Sequence, residues 1–184
     1  MKKELKGNMK FMPLPVLMIG TYDENGTPNL MNAAWGVQSD YNEVFISLSS
    51  HKTTDNLEKN PYFTVAFATK DTVVESDYFG VESGRKVNKI EKAGFHAVRS
   101  EKVNAPVFDE YPVTLECKVT AFDDHGLWGE VLGMTVDEEV LNENGRIDWG
   151  KVQPISYDSS LNKYRLVNTI VGDAFKDGLS IKNR

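Results

Sequence analysis

The segment from Ser47 to Thr54 (SLSSHKTT) places several hydroxyl side chains beside one lysine and one histidine. It joins the end of a predicted strand to the start of a predicted helix. Hydroxyl and backbone N–H donors converge at such a junction and Lys52 adds a full positive charge, so the segment suits a phosphate monoester. Charged hydrogen bonds of this kind contribute roughly 1.5 to 3 kcal/mol each. The alternative is an ordinary turn in which Thr53 or Thr54 caps the helix.

A second candidate segment runs from Pro28 to Gly36 (PNLMNAAWG). It carries two asparagines and two alanines beside Trp35 on a predicted strand. Small residues let a flat heteroaromatic ring approach the backbone, and amides can pair with the polar edge of the ring. The alternative is a half-buried strand whose polar residues face solvent, with Trp35 as a core anchor.

Several catalytic motifs are missing from the sequence. It has no G-x-x-x-x-G-K-[ST] loop, no G-x-G-x-x-G after a strand and no G-x-S-x-G elbow, which argues against a P-loop, a Rossmann site and a serine hydrolase. His51, His96 and His125 are scattered and there is one cysteine, so a zinc site would need distant carboxylates. We therefore predict no metal site and name no catalytic side chain.

Length and charge narrow the class of protein further. A chain of 184 residues predicts a single domain over 1–184, with a core at about 10–175. The 21 basic against 27 acidic side chains, a net charge of -6, disfavour nucleic acid as a partner. The apolar stretch 11–20 is broken by Pro13 and Pro15 and is too short to span a membrane. No signal peptide is evident and Cys117 is alone, so we expect a cytoplasmic protein without a membrane partner.

Frequent glycines and prolines separate short runs rich in β-branched and aromatic residues, which predicts a mainly β fold. A hairpin is expected at 23–28, where Asn25-Gly26 tolerates positive φ. A short helix is expected at 53–60, and a loop with a helix over 86–93 within 71–94. We expect the strands to close into one antiparallel barrel, which removes exposed edges. The predicted strands are 15–22, 30–35, 44–49, 62–69, 112–122, 127–136 and 164–171.

The order of several short motifs resembles the flavin reductase-like family of FMN-binding split barrels, especially its flavoredoxin branch. The resemblance covers about residues 10–175. The motifs are PVLMIGT at 15–21, GTPN at 26–29, NAAW at 32–35, ISLS at 46–49, SG at 83–84, NK at 88–89, AP at 105–106, LEC at 115–117 and GEV at 129–131.

The resemblance implies an antiparallel, Greek-key split β-barrel with a few short helices, forming a homodimer that binds FMN non-covalently near the subunit interface. The strand 29–35 would line the isoalloxazine, and 47–54 would hold the ribityl and phosphate groups. Ser83, Gly84 and Lys89 would complete the pocket, although Lys89 could equally be a solvated helix lysine. The implied FMN ligands are Asn29, Met31, Asn32, Ala33, Ala34, Trp35, Ser47, Ser49, Ser50, Lys52, Thr53, Thr54, Ser83, Gly84 and Lys89.

The resemblance also implies hydride transfer from a nicotinamide to the flavin, with the protein holding the two rings about 3 to 3.5 Å apart. In some relatives a histidine of a Gly-Asp-His element lies near the nicotinamide. Here that stretch is Asp123-Asp124-His125, without the glycine, so His125 is better interpreted as a turn residue. His51 could reach a phosphate or lie exposed, and His96 is interpreted as structural.

Three functions remain open from the sequence. The first is an NAD(P)H-dependent flavin reductase, and the second is a flavoredoxin-type FMN electron carrier with a protein redox partner. The third is a non-redox barrel that binds another phosphate-bearing ligand. For the first two, replacing Lys52 and Thr54 together with alanine is expected to weaken FMN binding by about 2 kcal/mol or more.

Overall fold

The computed structural model of the chain describes residues 1–4, 6–7 and 10–182. The strands are β1 (Leu14–Pro15), β2 (Leu17–Tyr22), β3 (Pro28–Ala33), β4 (Gly36–Asp40), β5 (Glu43–Ile46), β6 (Tyr62–Phe67), β7 (Ala97–Arg99), β8 (Pro106–Phe108), β9 (Val113–Asp123), β10 (Gly126–Val136), β11 (Ile155–Asp158) and β12 (Lys163–Leu166). The helices are α1 (Lys52–Leu57), α2 (Val73–Val81), α3 (Lys89–Ala93), α4 (Trp149–Val152) and α5 (Leu179–Lys182), with a 3-10 turn at Glu138–Val140.

Seven strands form one curled antiparallel sheet in the order β3-β2-β6-β9-β10-β5-β4. Strands hold 39% of the residues and helices 17%, so the predicted mainly β split barrel is confirmed. The sheet ends at β3 and β4, which follow each other in the chain across Ala34 and Trp35. Within the described residues no ladder joins these two strands, so the expected full closure is wrong and the barrel is open at this corner.

The continuous apolar run of β2 is explained by burial on both faces of the sheet. Alternate side chains of a strand point to opposite faces. Ile19 packs in a cluster inside the half-barrel with Phe63 and Leu127, whereas Met18 packs in a second cluster with Phe79 and other residues outside it. Helices α2 and α3 cover that outer cluster, which fixes both helices against the sheet beside β3.

The hairpin between β2 and β3 forms where the sequence predicts it. Gly26 has a φ of +79°, a conformation that costs little without a side chain. The Asp23 carboxylate accepts the backbone N–H groups of Asn25 and Thr27, each at 2.9 Å. The turn therefore holds Asp23 at the end of β2, close to Lys52 of α1.

Several predicted boundaries are wrong. The strands expected at 30–35 and 44–49 end at Ala33 and Ile46, because the chain turns the open corner of the barrel there. The stretch 71–94 holds two helices rather than one, and the second begins at Lys89. The strand expected to reach Val171 ends at Leu166. Strands β1, β4, β7, β8 and β11 were not predicted, since they are short and lack alternating polarity.

Among the described helices, none combines the length and the apolar character that a membrane span requires.

Candidate functional site

Helix α1 begins one residue after His51, which adopts extended backbone angles as the N-cap. The His51 backbone N–H donates to Thr54 Oγ1 at 2.9 Å, and the Thr54 hydroxyl donates to the His51 carbonyl at 2.8 Å. The interpretation of Thr53 or Thr54 as the N-cap is therefore wrong. Thr54 stabilises the start of the helix from the third helical position, and its hydroxyl is occupied there.

Strand β3 and α1 are joined by a buried hydrogen bond. Asn29 Nδ2 donates to Thr53 Oγ1 at 3.0 Å, and both side chains are buried. Gly84, in the loop between α2 and α3, packs directly on Asn29, because a Cβ built at this glycine would clash with Asn29 Oδ1. Three separate parts of the chain thus meet at one point, and a side chain at position 84 would force them apart.

A groove of three adjoining cavities follows β3 along the open corner of the barrel. The cavities measure about 500, 260 and 270 Å³. The groove runs from the β11–β12 hairpin, past the start of α1, to the loop between α2 and α3. The predicted site residues that line it are Asn29, Met31, Asn32, Ala33, Ala34, Trp35, Ser47, Ser49, Lys52, Thr53, Ser83, Gly84 and Lys89.

Two of the fifteen predicted site residues do not line these cavities. Thr54 is turned to its helix cap, and the Ser50 hydroxyl accepts from Arg85 Nη2 at 3.1 Å. The other histidines lie elsewhere. His125 is exposed in the turn between β9 and β10, as expected, and His96 Nδ1 lies 2.8 Å from Glu110 Oε1. The groove therefore contains His51 alone of the three.

The wide end of the groove is walled by polar and aromatic side chains. Asn32 Nδ2 donates to the Ser76 carbonyl at 2.9 Å, and Tyr164 Oη donates to Asp77 Oδ1 at 2.7 Å. Burial and the neighbouring Asp77 carboxylate raise the pKa of Tyr164 to about 12. Trp35 is 60% exposed and lies edge-on to Tyr157, so its interpretation as a core anchor is wrong.

The narrow end of the groove is cationic. Lys52 Nζ lies 3.6 Å from Asp23 Oδ2. Arg85 donates two hydrogen bonds of 2.7 Å to the Asp55 carboxylate, and these bonds lower the pKa of Asp55. The guanidinium thereby ties the loop after α2 to α1, across the groove.

Lys89 is buried beside this end, so its interpretation as a solvated helix lysine is wrong. Its Nζ donates to the Phe79 carbonyl at 2.8 Å. Burial lowers the pKa of Lys89 to about 8, an effect that the carboxylate of Glu82 partly opposes. Burial, followed by the charges of Arg85 and Lys89, also lowers the pKa of His51. Burial at this end of the groove thus disfavours the charged forms of both Lys89 and His51.

The lowered pKa of Lys89 predicts a pH-dependent stability. Between about pH 8 and 10.5 the unfolded chain binds a proton at this lysine that the folded chain releases, so the free-energy cost of burying the lysine falls as pH rises. We expect the free energy of unfolding of the wild type, relative to Lys89→Met, to increase by about 2 kcal/mol from pH 7 to pH 10. Urea titrations of both proteins at several pH values test this, and a constant difference would contradict it.

Arg85 and the lining residues from α2 and the β11–β12 hairpin are not predicted by the sequence. Arg85 directly follows the Ser83-Gly84 motif, and this motif is the sequence signal that could have indicated Arg85 as a site residue. No local pattern indicates the others, because contacts across 44 to 87 positions bring them to the groove. The missed lining residues include Asp77, Gly80, Val81, Arg85, Tyr157, Asn162 and Tyr164.

Comparison with solved structures finds two flavoredoxins with the same fold. The flavoredoxin of Desulfovibrio vulgaris (Miyazaki F) has a TM-score of 0.93 and 30% identity, covering 97% of this chain and 100% of the other. Flavoredoxin from Methanosarcina acetivorans has a TM-score of 0.87 and 29% identity, covering 98% and 100%. The resemblance in the sequence motifs thus extends to the whole architecture.

Sequence comparison agrees with the structural one. An uncharacterized protein of Archaeoglobus fulgidus is 30% identical over 143 residues, which are 73% of this chain and 80% of that protein. The family model described as "Flavin reductase like domain" matches residues 9–157, which contain β1 to β10, all but the last residue of β11, and most of the groove. The chain therefore belongs to the flavin reductase like domain family.

Proposed function

We propose that the chain is an FMN-binding oxidoreductase that receives hydride from NAD(P)H, a flavin reductase with non-covalently bound FMN. The observation that carries the proposal is the continuous groove along β3. It has a wide end lined by small, apolar, aromatic and polar side chains and a narrow end lined by four basic side chains, Lys52, Arg85, Lys86 and Lys89.

The chemistry of the groove fits FMN along its length. The wide cavity of about 500 Å³ has small or apolar side chains at Met31, Ala33 and Ala34, which suit a flat ring system. Gly80 contributes as well, because a Cβ there would come within 3.2 Å of the Asn32 side chain. At the narrow end, hydroxyl and ammonium donors suit a phosphate monoester.

Bound FMN would supply the hydride-accepting ring, and the side chains of this chain bind and orient it. Asn32 is held by the Ser76 carbonyl, so its Oδ1 remains available to the polar edge of the ring. Thr53 and Asn29 hold each other and fix α1 against β3. Lys52 and Lys89 supply positive charge to the phosphate end, and the exposed Trp35 lines the wide cavity.

A second candidate function is a flavoredoxin-type electron carrier that keeps FMN and exchanges electrons with a protein partner. The names of the two structural relatives at about 30% identity favour it. The net charge of -6 suits docking to a basic partner. Both candidates require the same groove, and they differ in whether a nicotinamide nucleotide reduces the flavin.

We further propose a homodimer with a cytoplasmic location. The single cysteine, Cys117, is free and fully buried, which fits a reducing compartment. The open corner of the half-barrel leaves β3 and β4 as sheet edges, and a second subunit would protect such edges.

An absorbance spectrum separates the candidates. The protein is supplemented with FMN and desalted, and NADH and then NADPH are added without oxygen. Flavin bands near roughly 375 and 450 nm that persist through desalting and bleach quickly with a nucleotide support the reductase. Bands that persist with both nucleotides favour the carrier. If no flavin is retained, the protein is assayed for turnover with free FMN, and failure there overturns the proposal.

The substitutions Lys52→Ala and Thr54→Ala should have different effects, although the sequence predicts that both residues bind FMN. Lys52→Ala is expected to weaken FMN binding about 10-fold, because it removes a charged donor from the phosphate end. Thr54→Ala is expected to lower the free energy of unfolding by about 1 kcal/mol and to change FMN affinity little, because its hydroxyl caps α1. FMN fluorescence titrations and urea unfolding of each variant check this. The reverse pattern would place Thr54, and not Lys52, at the phosphate.

A further inference from the structure

The segment 83–87, which we call the 83–87 loop, connects α2 to α3 and forms one wall of the narrow end of the groove. Both ends of the loop are fixed to the body of the protein. Helices α2 and α3 pack on the outer cluster through Phe79 and Ile90, and the buried Lys89 donates to the Phe79 carbonyl at 2.8 Å. Movement of this wall is therefore confined to the loop itself.

The opposite wall of the narrow end is the start of α1. A cavity of about 260 Å³ lies between the two walls, with Ser83 and Gly84 on one side and His51, Lys52 and Thr53 on the other. This cavity belongs to the phosphate end of the proposed FMN site. A ligand held between the walls is therefore enclosed more tightly when the walls are tied to each other.

One side chain ties the two walls together. Arg85 Nε and Nη2 each donate to one carboxylate oxygen of Asp55 at 2.7 Å, and Nη2 also donates to Ser50 Oγ at 3.1 Å. Among the described residues, every hydrogen bond between the 83–87 loop and the opposite wall is donated by Arg85. The two-pronged geometry fixes the position of the guanidinium as well as its partner.

The bridge between Arg85 and Asp55 lies at the surface of the protein. The two side chains are 43% and 48% exposed, so water competes with the ion pair and the pair contributes little to overall stability. A contact of this strength can break and reform without unfolding the helices on either side of it. The exposed position thus suits a closure that must open to admit or release a ligand.

We propose that the Arg85–Asp55 bridge closes the phosphate end of the groove over bound FMN and sets the rate at which FMN dissociates. The inference rests on the FMN binding proposed above and adds the device that retains the flavin. Asp55 is a positioning residue in this device, because it acts on FMN only by holding Arg85 across the groove. FMN behind a closed bridge stays on the protein between turnovers.

The effect of Asp55 on FMN release has opposite signs for a bridge and for a free charge. A carboxylate that merely lies near the phosphate end repels the phosphate dianion, so its removal would slow the release of FMN. A carboxylate that holds the bridge closed has the reverse effect, and its removal speeds release. Asp55→Asn keeps the shape of the side chain and removes its charge, so this variant separates the two roles.

The first test is the dissociation rate of FMN. The protein is loaded with ¹⁴C-labelled FMN and mixed with a large excess of unlabelled FMN, and the label that stays on the protein is counted over time. We expect Asp55→Asn to raise the dissociation rate about 5-fold and Arg85→Met to raise it at least as much. The double variant should release FMN no faster than Arg85→Met, because both substitutions break the same bridge.

Glu58→Gln is the matched control for the loss of charge. It removes an exposed carboxylate at the end of α1 and should change the dissociation rate less than about 2-fold. A rate for Asp55→Asn at or below that of the wild type overturns the proposal, and so does a double variant that releases FMN faster than Arg85→Met.

The second test measures the bridge in the protein without FMN. The backbone N–H groups of Lys86 and Val87 donate to the Ser83 carbonyl at 3.0 and 3.3 Å, so their hydrogen exchange reports opening of the loop. Asp55→Asn should raise these exchange rates about 5-fold and leave those of β9 unchanged. Equal loop rates in Asp55→Asn and the wild type overturn the proposal.

The two tests also separate this inference from the proposed function. If FMN binds but no nicotinamide nucleotide reduces it, the reductase assignment fails, and the dissociation rates still decide whether the bridge retains FMN. If the wild type binds no FMN, the FMN site and the bridge inference are both overturned.

Discussion

Phe79→Ala is expected to lower the free energy of unfolding by about 3 to 5 kcal/mol, the usual cost of removing a fully buried aromatic ring. Phe79 is 1% exposed on the inner face of α2. Its ring packs edge-on against Phe95 at 5.0 Å between centroids, in the cluster that also holds Ile90. The same ring lies 5.9 Å from Lys89 Nζ, so the cavity would open directly behind the cationic end of the groove.

Urea unfolding at a fixed protein concentration measures this loss, because a dimer makes apparent stability depend on concentration. Phe11→Ala is the matched control. The Phe11 side chain is 74% exposed, so its removal should change the free energy of unfolding by less than about 0.5 kcal/mol. A Phe79→Ala loss as small as that of the control would show that α2 does not pack on the sheet as described.

The long central strands could be predicted because their residue patterns reflect their burial. Strand β9 alternates through Leu115, Cys117 and Val119, and these side chains pack on the cluster inside the half-barrel. Strand β2 is apolar throughout because both of its faces are covered. The hairpin at Gly26 depends on one residue with positive φ, and such a turn is visible in the sequence.

The short edge strands and the far wall of the groove could not be predicted, for a different reason. Strand β11 is held by β1, more than 140 positions away, and Tyr164 reaches Asp77 across 87 positions. No local periodicity encodes such contacts. The exposure of Trp35 could not be predicted either, because an aromatic residue on a strand is usually in the core. Trp35 is exposed because it lies at the open corner of the barrel.

Lys89 shows how burial decides the role of a residue that the sequence left open between ligand and solvated lysine. The Lys89 ammonium donates to the Phe79 carbonyl, and the cost of burying its charge appears as a lowered pKa. A phosphate placed beside it would favour the charged form. Protonation of Lys89 and binding of a phosphate are therefore coupled, and each favours the other.

In the proposed complex, Lys89→Met is expected to weaken FMN binding about 10- to 100-fold at pH 7, because a buried charged donor is lost. In the wild type, FMN affinity should fall about 10-fold from pH 7.5 to 9.5, since Lys89 loses its proton near pH 8 in the free protein. The phosphate is already fully ionised in this range. Fluorescence titrations with FMN measure both effects.

Two controls isolate the contribution of the Lys89 charge to this pH dependence. Lys92→Met removes an exposed lysine of the same helix and should keep the wild-type affinity and its pH dependence. Riboflavin lacks the phosphate, so its affinity should stay nearly constant over this pH range in the wild type. If Lys89→Met retains the full fall in FMN affinity, another group titrates, and the phosphate lies away from Lys89. If FMN affinity is independent of pH in Lys89→Met but falls with pH in Lys92→Met, the phosphate lies close to the Lys89 ammonium. That position is the end of the groove where Asn29, Thr53 and Gly84 meet.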